Sequence, residues 1–252
     1  MKLKYDDAGK GTPVVLVHGL GGSANVFGAQ VAALSPDFRV VVPDLRGCGR
    51  SDKAPVSLEA LVADVVELID SAGFEKVHLV GHSLGSVIVQ HLAVKHPQMV
   101  RSVALIGPIQ VPAEAGKQGL RGRADQARKV GLTGIADATV QGGTSLETKR
   151  DNPELAAFVR ELVMRQDPES YAQTCETIIG LNPAEIEALR CPALVVTGDQ
   201  DATSPPATAK AIADKIPCSK YVVLSKCGHW TPIERAAAVN DLLRRFLLES
   251  NG

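Results

Sequence analysis

The pentapeptide Gly81-His82-Ser83-Leu84-Gly85 lies between an apolar run, Val77–Val80, and an apolar helical pattern that opens at Leu84. A serine on such a strand-to-helix turn is held in a strained conformation with its hydroxyl projecting from the strand edge. Neighbouring backbones then come so close that only small residues fit two positions either side. Ser83 is therefore the candidate nucleophile. The plainer alternative is a glycine-rich turn whose serine caps a helix. A serine hydroxyl is a poor nucleophile at neutral pH and needs an adjacent base. The histidines are His18, His78, His82, His91, His96 and His229. His78 lies within a strand pattern, His91 and His96 in the helix after Ser83, and His82 at the turn with its side chain pointing away from the serine; structural roles are expected for these four. His229 follows the last strand, in the loop Lys226-Cys227-Gly228-His229-Trp230, from which a ring can reach over the sheet edge. It is the candidate general base, neutral when substrate binds and a proton donor to the leaving group afterwards.

The imidazole needs an orienting partner. Gly198-Asp199-Gln200-Asp201 follows another apolar run and offers two carboxylates. Asp199, next to the strand end, is expected to bond the turn, and Asp201, further out, to reach His229. The order Ser83, Asp201, His229 is that of one known triad arrangement. An attacked carbonyl also needs donors for its developing charge. The Leu84 N–H, at a helix start, is one candidate. The Leu20 N–H, in the loop His18-Gly19-Leu20-Gly21-Gly22-Ser23, is the other. Alone, that loop reads equally well as an ordinary strand-to-helix turn. It lacks the Gly-Lys-Ser/Thr ending of a phosphate loop and any dinucleotide fingerprint.

Positioning these groups requires strands that end together. Short runs rich in Val, Leu or Ile, at Val14–His18, Arg39–Pro43, Lys76–Gly81, Val100–Ile106, Pro192–Gly198 and Lys220–Ser225, read as strands buried on both faces. Helical patterns over Ala24–Leu34, Leu58–Ala72, Leu84–His96, Pro206–Ile216 and Ile233–Glu249 alternate with them, the mark of an α/β protein with a mostly parallel sheet. From about residue 111 to 189 no strand-like run occurs. That stretch is too long for a bare loop and predicts a helical insertion over the sheet. The expected division is a core of residues 1–110 and 190–252 and a helical cap of residues 111–189.

The 252 residues suit one such domain, and Lys+Arg number 27 against 28 Asp+Glu, so neither nucleic acid nor an anionic membrane surface is an expected partner. The five cysteines, Cys48, Cys175, Cys191, Cys218 and Cys227, are odd in number and form no C-x-x-C pair. A disulfide framework or zinc site is not expected, and a reducing compartment is. The start of the chain has no apolar signal-like segment, and no run reaches the roughly 18–20 apolar residues of a membrane span, which reads as cytoplasmic.

His18-Gly19 after the first apolar strand, Asp44-Leu45-Arg46-Gly47-Cys48-Gly49-Arg50-Ser51-Asp52, the Gly81–Gly85 turn, Gly198-x-x-Asp201 and Gly228-His229 together resemble the α/β-hydrolase superfamily over nearly the whole chain. The resemblance implies an α/β-hydrolase fold, with a central sheet flanked by helices and a helical cap inserted after its sixth strand, and no cofactor or metal. It makes Asp44–Asp52 a structural loop, with Cys48 standing where a histidine is often found; packing is its expected role, a place on the pocket rim the alternative.

A serine at position 83 disfavours relatives with an aspartate nucleophile, and the His18–Ser23 loop lacks the Gly-x-Gly-Pro-Gly pattern associated with meta-cleavage hydrolases. The expected chemistry is hydrolysis of a small carboxylic ester or lactone through an acyl-enzyme. Gly131–Thr139 and Asp167–Tyr171 are similar to cap segments of 3-oxoadipate enol-lactonases and related esterases. Those enzymes commonly carry Asn-Ser in place of His18-Gly19 and a Trp-Phe pair in place of Gln141-Gly142-Gly143. A substrate carboxylate would call for a cap cation, for which Arg121, Arg123, Arg128 and Arg165 are available. The alternatives are a slow-turnover, butenolide-type ligand receptor, and a C–C bond hydrolase or perhydrolase using the same residues.

Overall fold

In the computed structural model, which describes residues 1–251, seven strands form one sheet in the order β1-β3-β2-β4-β5-β6-β7. They are β1 (Tyr5–Ala8), β2 (Pro13–Val17), β3 (Arg39–Pro43), β4 (Val77–His82), β5 (Val100–Ile106), β6 (Ala193–Gly198) and β7 (Ser219–Leu224). All neighbours pair in parallel except β1, which runs antiparallel to β3 at one edge. β1 has no apolar run and alternates exposed with half-buried residues, as suits an edge, so its sequence carries little strand signal. Val100–Ile106 is consequently the fifth strand of this chain, and the helical insertion follows the fifth strand instead of a sixth: along the described chain only β1 precedes β2.

Alternation along each strand splits the core between two faces. Val14 and Leu16 pack with Phe27, Leu34 and Phe246 on one side, Val15 and Val17 with Leu61, Val65 and Ile88 on the other. The first side is covered by α1 (Gly28–Leu34), entered through a 3₁₀ turn, and by the C-terminal helix. The second is covered by α2 (Leu58–Ser71), α3 (Leu84–Lys95) and a later helix, Pro206–Lys215. Helix α2 starts where Ser57 Oγ accepts the Ala60 amide, as the run of helical spacing after Ser57 predicts.

Between β5 and β6 five helices follow one another: α4 (Glu114–Val130), α5 (Thr133–Gly143), α6 (Leu146–Asp151), α7 (Pro153–Met164) and α8 (Pro168–Ile179). Pro153 and Pro168 each occupy a first-turn position that needs no N–H, and Asp167 caps α8 by accepting the Ser170 amide at 2.9 Å. After β6 come α9 (Pro206–Lys215), then β7, α10 (Thr231–Glu234) and α11 (Ala236–Glu249). The single helix expected over Ile233–Glu249 is thus broken at Arg235, which leaves helical geometry at φ −129°, ψ 43°. Its guanidinium bonds the Ser225 and Lys226 carbonyls, tying the break to the loop after β7. Among the described residues no helix is long and apolar enough to cross a membrane.

Candidate active site

The chain winds from β2 outward to β3 and then returns past β2 to β4, so the crevice at the C-terminal ends of β2 and β4 is where such sheets bind ligands. Ser83 is the first residue past β4. Its backbone, at φ 53°, ψ −119°, is in the left-handed half of conformational space, which costs a non-glycine residue on the order of 1–3 kcal/mol. The turn is locked by the Ser83 N–H donating to Ile106 O at 3.0 Å and by Ser86 N and Oγ donating to Ser83 O. A Cβ on Gly85 would stand 2.0 Å from Val17 O and one on Gly81 2.3 Å from Gly85 O, so both positions exclude a side chain.

The loops after β6 and β7 converge on the same place. His229 Nδ1 is 2.9 Å from Asp201 Oδ2, and both side chains are buried. Asp201 Oδ1 accepts the Thr203 and Ser204 amides at 2.9 and 2.7 Å. Burial works against the Asp201 carboxylate, but the facing His229 ring and these two amides outweigh it and hold the carboxyl below its ordinary range. Asp199 does something else: its Oδ1 accepts the Cys227 amide at 3.0 Å, bracing the loop that carries His229. Gly107, at φ 52°, follows β5 and gives the ring its space, because a Cβ there would lie 3.1 Å from His229 Nδ1 and 3.3 Å from Asp201 Oδ2. With Nδ1–H donated to Asp201, Nε2 is the nitrogen left to accept a proton. The Ser83 hydroxyl makes no hydrogen bond to this ring; nucleophile–base contacts often tighten only around substrate.

The Leu20 peptide is oriented from behind. His18 is fully buried; its Nε2 accepts the Leu45 amide at 3.0 Å, which places the ring proton on Nδ1, where it donates to Gly19 O at 2.9 Å. Gly22 N–H also donates to Gly19 O. Because a trans peptide points its N–H opposite its carbonyl, fixing Gly19 O aims the Leu20 N–H the other way. Gly19 itself abuts the turn, a Cβ on it falling 2.7 Å from Ser83 Cβ and 3.2 Å from Leu84 N. The Leu84 N–H is in the first turn of α3, where no intrahelical acceptor exists. Beside these two amides is a cavity of about 10 Å³ walled by Leu20, Leu84, Cys48, Gln166 and Tyr171, among others. Cys48 thus stands on the wall, with burial pushing its thiol up to about 12.

A family model described as the alpha/beta hydrolase fold matches residues 12–236. The chain belongs to the α/β-hydrolase family. A thermophilic esterase from Thermogutta terrifontis superposes on this hydrolase with a TM-score of 0.94 at 31% identity, covering 99% of this chain and 94% of its own. The enol-lactonase from Burkholderia xenovorans LB400 gives 0.92 at 31% identity, over 98% and 96% of the two chains. The 2-hydroxymuconate semialdehyde hydrolase of Pseudomonas putida is 29% identical over 260 residues, 97% of this chain and 90% of that protein.

Within this hydrolase the remaining candidates sort themselves. His78 bonds Ser102, His91 bonds the Asn182 carbonyl, and His82 Nε2–H donates to the His229 carbonyl at 2.8 Å while its ring packs against His229 and Trp230. Burial, aided by the neighbouring His229, lowers His82 to about 3, so its ring is neutral. Of the four arginines, Arg121 pairs with Glu114, Arg128 with Glu169 and Glu176, and Arg165 with Glu161. Arg123 has no carboxylate within ion-pair distance among the described residues and faces the buried Tyr171 phenol, one wall of the cavity. Sequence reasoning missed Gly107, the aiming role of His18 and the buried Glu234. A glycine directly after β5 was the one available signal for the first; nothing in the local pattern marks the other two.

Proposed function

We propose that this chain is a serine hydrolase that cleaves a small carboxylic ester or lactone through an acyl-enzyme. The observation that carries the reading is the buried 2.9 Å contact of His229 with Asp201 at the crevice that also holds the strained Ser83. In this mechanism His229 Nε2 takes the Ser83 proton as Oγ attacks the carbonyl. The tetrahedral oxyanion accepts hydrogen bonds from the Leu20 and Leu84 amides. The protonated ring, stabilised by Asp201, then hands its proton to the leaving alkoxide, and water repeats the sequence to release the acid. Residues 111–189 serve as the cap and the rest as the catalytic core. The likeness to an esterase and an enol-lactonase at 31% identity supports the ester or lactone choice.

The likeness to 2-hydroxymuconate semialdehyde hydrolase favours C–C bond hydrolysis by the same residues as a second reading. A graded panel of p-nitrophenyl esters and lactones, run beside a dienol keto-acid substrate, separates the two. Ester or lactone turnover that disappears in Ser83→Ala is the expected result. Turnover of the keto-acid alone would transfer the assignment to the second reading, and an unaffected Ser83→Ala would end both.

A further inference from the structure

Glu234 is 6% exposed, yet no cation lies within ion-pair distance of it among the described residues. Burying a carboxylate is costly unless its oxygens are hydrogen-bonded, and here four neutral donors surround it. Oε2 accepts Ser145 N at 2.7 Å, Thr148 Oγ1 at 2.8 Å and Gly228 N at 3.2 Å; Oε1 accepts Trp230 N at 3.1 Å. Two of these donors belong to the start of α6 in the insertion. The other two are the N–H groups of Gly228 and Trp230, the residues on either side of His229. A glutamine cannot replace this group, because its NH₂ would face donors where only an acceptor fits.

Other contacts converge on the same joint. The His229 N–H donates to Gly143 O at 2.8 Å, at the end of α5. Next to Asp201, Gln200 Oε1 accepts the Leu146 amide at 2.9 Å and its Nε2 donates to Glu147 at 2.6 Å. No room is left for slippage: a Cβ on Gly228 would stand 2.7 Å from Gly143 O and 2.8 Å from both Glu234 Oε1 and Ser145 N.

We propose that Glu234 is a positioning residue, through which the first turn of α6 sets the place of the His229 ring. The proposal rests on the reading of His229 as the base for Ser83. On it, the α5–α6 junction is part of the catalytic framework and stays in place when substrate enters.

The test compares full-length wild type with Glu234→Gln on p-nitrophenyl acetate. A misplaced base loses rate and keeps binding, so kcat is expected to fall on the order of 10–10²-fold with KM within about twofold. Labelling of Ser83 by a fluorophosphonate should slow in proportion. The chain has one tryptophan, Trp230, whose fluorescence should become more accessible to acrylamide. In a His229→Ala background Glu234→Gln should cost no further kcat, since both changes act through one group. Unchanged kcat in folded Glu234→Gln, or an undiminished second loss in the double variant, would overturn the proposal. If Glu234→Gln does not fold, Thr148→Val, which removes one donor from the insertion side, decides: a fall in kcat of about 2–10-fold at constant KM supports the proposal, and none refutes it. Ser83→Ala and His229→Ala run alongside; turnover surviving in those would instead strike the underlying reaction scheme.

Discussion

Two carboxylates two residues apart illustrate how much a side chain's role depends on where its turn aims it. Asp199 braces the Cys227 amide, whereas Asp201 meets the imidazole and is itself gripped by two amides. Asp201→Asn is therefore expected to lower kcat on the order of 10²-fold or more with little change in KM, because an amide in that place supports the wrong ring tautomer. Asp199→Asn should leave kcat within a few-fold. Steady-state kinetics of the two variants check this, and equal losses would contradict the separate roles. The choice between the carboxylates was legible because distance from the strand end differs even within one short motif. The work of Glu234 was not legible. Its four donors come from residues 86 to 89 and 4 to 6 positions away, and only the folded chain brings them to one carboxylate.

Elements were legible where burial imposes a pattern. The inner strands, covered on both faces, left continuous apolar runs and were located to within a residue or so, as was α2 by its helical spacing. The β1 edge and the break at Arg235 were not, since one is half-exposed and the other arises from contacts to a distant loop. The Gly81–Gly85 turn shows an element enforcing composition: Gly85→Ala would drive a methyl to 2.0 Å from Val17 O on strand β2. That substitution is expected to destabilise the fold by about 2–4 kcal/mol, seen as a lowered urea midpoint, while Gly119→Ala in α4, with open space around it, should raise the midpoint slightly. In the insertion, α4 carries Arg123 toward Tyr171, with no carboxylate partner among the described residues. Arg123→Ala is accordingly expected to raise KM about tenfold for esters bearing a free carboxylate and to spare neutral ones, measured on paired substrates. Equal effects on both series would remove Arg123 from substrate recognition.

At the scale of the whole molecule, buried neutral histidines set the acid limit. Burial lowers His78 to about 4, and burial with the nearby His229 lowers His82 to about 3, from an ordinary 6.5. Below pH 6.5 the unfolded chain binds protons that the native rings refuse, so stability drops as pH falls toward 4 and 3, by about 1 kcal/mol per unit per ring. Asp201 acts in the same sense at lower pH: its depressed carboxyl contributes fully above its ordinary 3.8, and that contribution is lost as pH falls below it. Urea midpoints should thus decline between pH 6.5 and 4.5, with a shallower slope in His78→Gln; a flat profile would show the rings titrating normally. The small cavity beside Leu84 has a kinetic consequence. A space of about 10 Å³ admits one water but no ester, and on the proposed acyl-enzyme reading that water is the one deacylation needs. On the proposed reading, a substrate larger than a solvent molecule enters only as Gln166 and α8, which wall that space, move aside. Bulky, intrinsically reactive esters should then share one ceiling on kcat/KM, and that ceiling should sink as glycerol thickens the medium.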